Sequence, residues 1–376
     1  TGVDVLAAGG RIVNVSQRID AAATRTVDAQ GQLLSPPFVD AHFHLDATLS
    51  YGLPRVNASG TLLEGIALWG ELKPSLTADA IIERALTYCD WAVAQGLLLG
   101  AYSYDTYRVD SKAAHRSPVG RITLHVADVK DEQTLAAVAR ARAVSASVNL
   151  ARDLVNTPAD DLVPADFAAT ALAEAEALGL DVEILDEAAL EEQGFGGILA
   201  VGKGSAHPPR LVRLAYRPEG ATTHLALVGK GITFDTGGIS IKPSAGMHEM
   251  KGDMGGAAAA LGAVLAVARL GLPVNVTSYL CLAENMPSGR AQKPGDVFRA
   301  YGGKTVEVLD TDAEGRLVMG DALVRAQEDK PDVLIDLATL TGAAVVALGA
   351  RTAGIMSNDD DLRDAIHDAA ARAGEN

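Results

Sequence analysis

The 376-residue chain has only two cysteines, Cys89 and Cys281. So distant a pair makes no disulfide framework, and a reducing compartment is the simplest setting. Positive charge is scarce too. There are 32 Lys and Arg against 48 Asp and Glu, which gives a net charge of −16 and an isoelectric point near 4.9. That balance excludes nucleic acid and anionic membrane as principal partners. A long apolar run is also missing. The longest, around residues 257–270, is broken by Gly262 and too short to span a bilayer, so a buried helix is expected there. No charged start, apolar core and small-residue cleavage site opens the chain, so no signal peptide is expected and the expected location is cytoplasmic.

What is present is core. Hydrophobic residues make up 48% and charged residues 21%, enough to bury sizeable interiors, and the length suits two domains. Two stretches concentrate the chemistry: residues 230–253 (KGITFDTGGISIKPSAGMHEMKGD) and residues 310–316 (DTDAEGR). Aspartates, a glutamate, lysines and an arginine are set there among glycines, which mark tight turns and close backbone approach. Carboxylates crowded together repel one another unless something cationic sits among them. A pair of divalent ions answers that need and makes a hydrolytic centre.

These stretches resemble the leucine aminopeptidase family of two-metal aminopeptidases, whose signature reads DTDAEGRL, more often with asparagine first. The likeness runs from about residue 96 to the end. It implies that Asp235 and Glu314 bridge two ions (zinc or manganese), that Lys230 and Asp253 complete one, and that Asp312 completes the other. Metal binding requires Lys230 to be neutral, and nearby dications depress a lysine pKa in that direction. By the same resemblance Lys242 stabilises the developing oxyanion, and Arg316 holds a bicarbonate-type anion as proton shuttle. Met250, Thr339, Leu340 and Gly342 match positions near the substrate's first side chain, so an apolar first residue is implied. The implied partners are peptides with a free amino terminus, and the family assembles as hexamers.

The first ninety-odd residues resemble something else. SPPFVDAHFHLDATLS, at residues 35–50, is similar to the amino-terminal part of cytosine deaminases in the amidohydrolase superfamily, whose HxH binds the catalytic metal. His42 and His44, two apart on a strand, point to one side and could share an ion. The later histidines and aspartate of that family find no matching context, so the deaminase site is expected to be incomplete. The implied organisation is an amidohydrolase-like segment over 1–95, an aminopeptidase amino-terminal remnant with a linker helix over 96–160, and a catalytic domain over 161–376, truncated at its carboxyl end. Two other readings stand beside the aminopeptidase: a cytosine deaminase fragment, and an inactive metal-binding homologue.

The pattern predicts short strands at 3–7, 11–15, 25–27 and 121–126, and a long helix over 132–156 ended by Thr157-Pro158. Helices are predicted at 165–178, 256–270 and 317–326. Strands are predicted at 182–185, 211–216, 225–228, 274–282, 305–309 and 333–337. The alternation predicts an α/β layer, a mostly parallel sheet with helices on both faces, preceded by the short β-rich segment. Ligands in such sheets gather beyond the carboxyl ends of strands, where Lys230 follows one strand and residues 310–316 follow another. Other motifs fail. His248-Glu249 begins HExxH, but Gly252 takes the second histidine's place, and the GGKT at 302–305 has Phe298 where a P-loop needs glycine.

Overall fold

The structure, a computed structural model, describes residues 4–8, 11–16, 98–108, 130, 132–373 and 375. The chain divides into two compact units, residues 1–48 and 49–376. In the first, β1 (Asp4–Ala8) pairs antiparallel with β2 (Arg11–Ser16), with a register shift between Leu6 and Ala7. His42 and His44, and the strands expected at 25–27 and 121–126, lie outside the described residues.

The second unit is built on a five-stranded sheet. Its strands are β3 (Asp181–Leu185), β4 (Arg210–Tyr216), β5 (His224–Asp235), β6 (Asn275–Asn285) and a later strand, Val333–Leu337. A separate hairpin joins β7 (Val297–Arg299) and β8 (Thr305–Glu307), so the Val333–Leu337 strand is β9. The main sheet runs β3-β4-β6-β5-β9. Its β3–β4 and β4–β6 pairs are antiparallel, while β5 pairs parallel with both β6 and β9. The α/β layer stands as expected, and the sheet is mixed: its parallel part is the half that carries the site.

Alternation along the strands explains the two layers. Val276, Leu280 and Leu282 of β6 pack into one core with Val212, Leu214 and Leu227. The intervening Tyr279, Cys281 and Ala283 pack into a second core with Ala226, Val228 and Ile232. The first core is closed by α1 (Glu132–Asn156), α2 (Pro164–Glu176) and a third helix, Gly255–Arg269. The second is closed by α3 (Glu187–Gln193), α4 (Gly196–Gly202) and the helix Glu314–Glu328. In chain order these two later helices are α5 and α6. They are followed by α7 (Gly342–Leu348) and α8 (Asp360–Ala373).

Among the described residues, the stretch Met247–Arg269 alone is long and apolar enough to cross a membrane. Here it contains the core helix α5, whose Ala257, Ala258, Leu261, Val264 and Leu265 are fully buried. Two glycines let that helix start directly on the sheet. A Cβ on Gly229 of β5 would come within 2.5 Å of the Ala257 Cα, and one on Gly256 would run into the Leu337 carbonyl.

The segment 98–108 is fastened to the end of α1. Arg152 donates to the Leu99 carbonyl (2.9 Å), Tyr102 donates to Asp153 (2.8 Å), and Tyr104 donates to Thr157 (3.1 Å).

At the other end of the sheet, Arg213 of β4 donates to Asp329 at the end of α6 (2.6 and 3.0 Å), and the Tyr279 hydroxyl donates to the same carboxylate at 2.5 Å. Burial pushes the Asp329 carboxyl up, but the bonds from Tyr279 and Arg213 outweigh it and hold the group below its usual range. A depressed carboxylate stabilises the fold above its unfolded pKa of about 3.9, and that contribution is lost as pH falls through the lower folded value. Asp329→Asn should therefore be less stable than the parent near pH 6, by about 1.5–3 kcal/mol for hydrogen bonds to a charged group. The gap should close below about pH 4. Urea titrations across that range check it, and a gap that does not change with pH would refute the assignment.

Candidate metal and catalytic centre

Strand β5 runs longer than its apolar run suggests. Lys230 lies inside it, not beyond it, paired in register with Cys281 of β6. The flanking Gly229 and Gly231 are close-packing positions. A Cβ on Gly231 would come within 2.6 Å of Leu282. The buried Lys230 ammonium sits between Asp253 (2.7 Å) and Glu314 (2.8 Å) and donates to the Thr339 carbonyl (3.1 Å). Asp253 ends the turn Met247–Gly252 that leads into α5, and Glu314 opens α6.

Asp235 closes β5. Its Oδ1 accepts from the Gly237 amide (2.9 Å) and the Asn285 side chain (2.8 Å), which leaves Oδ2 to the Lys242 ammonium (2.9 Å). Lys242 also pairs with Asp312. Gly237 and Gly238 turn the chain between Asp235 and Lys242 with φ of 85° and 66°, a left-handed conformation that favours glycine. The two motifs are thereby brought together, with four carboxylates and two lysines in one cluster.

Burial sets the electrostatics. It raises Asp253 to about 7, against the opposing pull of Lys230 and of the Thr339 hydroxyl, which donates to its Oδ1 at 2.7 Å. It raises Glu314 and Asp312 as well, partly offset by Lys230 and Lys242 respectively. For Lys230, burial pulls the ammonium down, but attraction to Asp253 and Glu314 exceeds it and the net shift is upward. Lys242 is likewise held above its usual value by Asp312 and Asp235, which outweigh its burial. The pairing with Asp253 and Glu314 thus favours the charged lysine, and a dication among these carboxylates would favour the neutral form that the implied ligand role needs.

Carboxylate oxygens of Asp235, Asp312 and Glu314 lie within 4.8 Å of one another, a grouping able to hold a metal ion. Glu314 Oε2 is buried and has no hydrogen-bond partner among the described residues. A buried oxygen of that kind calls for an explanation, and hard oxygens clustered at this spacing suit a divalent cation. The donor set fits the group.

The remaining sequence-predicted residues are less tightly gathered. Arg316 is exposed on the first turn of α6, and Met250 is half-buried in the turn before Asp253. Leu340 is 42% exposed, and a Cβ on Gly315 would meet its Cδ1 at 3.1 Å and the Lys230 side chain at 2.8 Å, so Leu340 borders the cluster. Gly342 starts α7 in the open. Thr339 borders the cluster: its hydroxyl donates to Asp253 and its carbonyl accepts from Lys230.

Asn285, and the role of Thr311 within the 310–316 stretch, are not among the features that the sequence points to. The Thr311 hydroxyl donates to the Gly237 carbonyl (2.6 Å) and accepts from the Ser240 amide (2.8 Å), fastening the 310–316 loop to the glycine turn. The signal available was position, since Asn285 ends β6 beside the carboxyl end of β5.

Comparison with known proteins matches this assembly. The model of the cytosol aminopeptidase family, catalytic domain, covers residues 149–376. The chain belongs to the cytosol aminopeptidase family. A second model, that of the amidohydrolase family, covers residues 25–211. Of the shared stretch 149–211, β3, the first two residues of β4 and helices α2 to α4 belong to the five-stranded sheet and the helices that cover it.

A "Probable cytosol aminopeptidase" of Streptomyces coelicolor is 55% identical over 296 residues, 75% of this chain and 57% of that protein. Its counterpart in Rhodococcus erythropolis is 54% identical over 312 residues, 82% of this chain and 61% of that protein. Among solved structures, the bottromycin maturation enzyme BotP in complex with Mn superposes with a TM-score of 0.69 at 46% identity, covering 76% of this chain and 60% of that one. Leucyl aminopeptidase from Trypanosoma cruzi gives 0.61 at 44% identity, covering 62% and 47%. The chain thus spans about half to three fifths of the length of these proteins.

Proposed function

We propose that this cytosol aminopeptidase family chain is a metal-dependent aminopeptidase acting in the cytosol. It would release apolar amino-terminal residues from peptides with a free amino group. The supporting observation is the convergence of Lys230, Asp235, Asp253, Asp312 and Glu314 at the carboxyl end of the parallel strands, with Glu314 Oε2 buried and unpartnered.

These five side chains would hold two divalent ions, zinc or manganese, and such ions supply charge that polarises a carbonyl and activates water. The protein's own groups do the rest. Asp235 is presented by its bonds from Gly237 and Asn285, and Asp253 by its bond from Thr339. Lys242, protonated and free to swing from its carboxylate partners, donates to the carbonyl oxygen as that oxygen becomes negative. Arg316 offers a planar fork to a bicarbonate-sized anion from the exposed first turn of α6. Leu340 and Met250 supply apolar surface beside the cluster for the first side chain. A hexamer, as the family resemblance implies, belongs to the same proposal.

The test is release of p-nitroaniline from leucine-p-nitroanilide by protein loaded with Mn2+ or Zn2+, run beside the N-acetylated substrate. Hydrolysis of the free amine alone, abolished by chelation and restored by metal, is the expected result. Hydrolysis that is indifferent to metal would overturn the proposal.

The amidohydrolase match over residues 25–211, with His42 and His44 inside it, supports a second reading as a cytosine deaminase fragment. Deamination of cytosine in the same preparation would favour it.

A further inference from the structure

One of the residues that tie the two halves of the cluster together is neither charged nor part of either motif. Asn285 is the last residue of β6 and 1% exposed. Its Nδ2 donates to Asp235 Oδ1 (2.8 Å) and to the Thr311 carbonyl (3.0 Å). Its own carbonyl accepts from the Thr236 amide (3.0 Å) and the Thr236 hydroxyl (2.8 Å). Its Oδ1 lies against the glycine turn, 2.8 Å from where a Cβ on Gly238 would stand. One carboxamide therefore spans the end of β5 and the loop that carries Asp312 and Glu314.

From this geometry we infer that Asn285 is a positioning residue. Its two donated hydrogen bonds fix the spacing of Asp235 from Asp312 and Glu314, and so set the affinity of the metal centre; the inference rests on the metallo-aminopeptidase reading above. The chemistry is specific to an amide. A carboxylate oxygen that accepts two hydrogen bonds on one side keeps its other oxygen aimed, and here Asp235 Oδ2 faces the cluster. The two hydrogens of one NH2 group are directed apart in a fixed plane, so the same group that aims Asp235 also holds the Thr311 carbonyl at a set distance. Glu314 follows Thr311 by three residues at the start of a rigid helix, so anchoring Thr311 anchors the helix start. No apolar residue of the same size does either task, and a hydroxyl has a single hydrogen to give. Outer partners of metal ligands typically contribute about 10–100-fold in metal affinity.

Mn2+ binding to the metal-stripped full chain tests this, with free Mn2+ counted by its electron paramagnetic resonance signal. Asn285→Leu keeps the branched outline with a larger side chain, Asn285→Ala shortens it, and both delete the donor. Thr233→Val serves as control, since the Thr233 hydroxyl donates to the Ala283 carbonyl between the same two strands and makes no hydrogen bond to the cluster among the described residues. Urea titration of each metal-free variant reports the fold separately.

The expected result is a rise in the Mn2+ dissociation constant of about 10–100-fold in whichever Asn285 variants fold, with Thr233→Val unchanged. Unchanged Mn2+ affinity in a folded Asn285 variant, or an equal loss in Thr233→Val, would overturn the positioning role while leaving the metal centre standing. Failure of the parent chain to bind Mn2+ would overturn both.

Discussion

Asp253→Ala is expected to abolish nearly all turnover and to lower the bound metal from about two ions per chain to about one. The residue sits where two demands meet. Its carboxylate is buried, faces Lys230 at 2.7 Å and is steadied by the Thr339 hydroxyl. Removing it strips one of the four acidic side chains and leaves Lys230 paired with Glu314 alone. Breaking a buried ion pair by truncating one partner costs about 3–5 kcal/mol when the other charge is stranded, and the remaining Glu314 pair should hold the loss below that range. The variant should therefore remain folded, with activity and metal content reduced together. Metal analysis, steady-state kinetics and a urea titration on one preparation decide it. Parental metal content and turnover in a folded Asp253→Ala protein would end the two-metal reading.

Lys242→Ala should act on rate alone. Lys242 reaches both Asp235 and Asp312 from beyond the Gly237–Gly238 turn, and its side chain is 21% exposed, so it can exchange those partners for a substrate oxygen. Loss of a preorganised donor to a developing oxyanion typically costs about 10²–10³ in turnover. We expect kcat to fall by that order with KM near its parental value. Metal affinity should hold or rise, because the ammonium competes with cations for the same carboxylates. Arg316→Ala should slow the reaction less, since this exposed residue handles a proton shuttle that water or buffer anions partly replace, and added bicarbonate should no longer accelerate it. Loss of metal from Lys242→Ala would move that lysine into the set that holds the ions.

The elements legible in sequence were those with one unambiguous signal. The long alanine-rich periodicity of α1 ended at Thr157-Pro158 as proline dictates, and the apolar run of α5 was buried as its composition demands. By contrast α3 and α4 are seven residues each, too short for periodicity to separate them from loop, and α4 opens on two glycines. The strand expected at 305–309 became half of a small hairpin, because Gly302 and Gly303 turn the chain back on 297–299. The apolar run at 225–228 stops short of Lys230, while the strand continues through it to Asp235 with Gly229 and Gly231 fitted against α5 and β6.

The cluster itself was visible through its charges, since lysine and aspartate among glycines have few other uses. Its polar framework was not. The roles of Asn285, Thr311 and Thr339 depend on which atoms they meet, and every such contact crosses from one distant segment to another.

That crossing bears on how the protein is made. The Lys230 side chain finds the Thr339 carbonyl across 109 positions of sequence, and the segments carrying Asp253, Asn285 and Glu314 lie between them. A nascent chain lengthens by about 5–20 residues each second. For about 5–20 s after Lys230 is synthesised, its set of hydrogen-bond and ion-pair partners is thus incomplete. The finished cluster can form only once Thr339, just past β9, has been made, so Lys230 waits for its last partner while Asp253 and Glu314 are already in the chain.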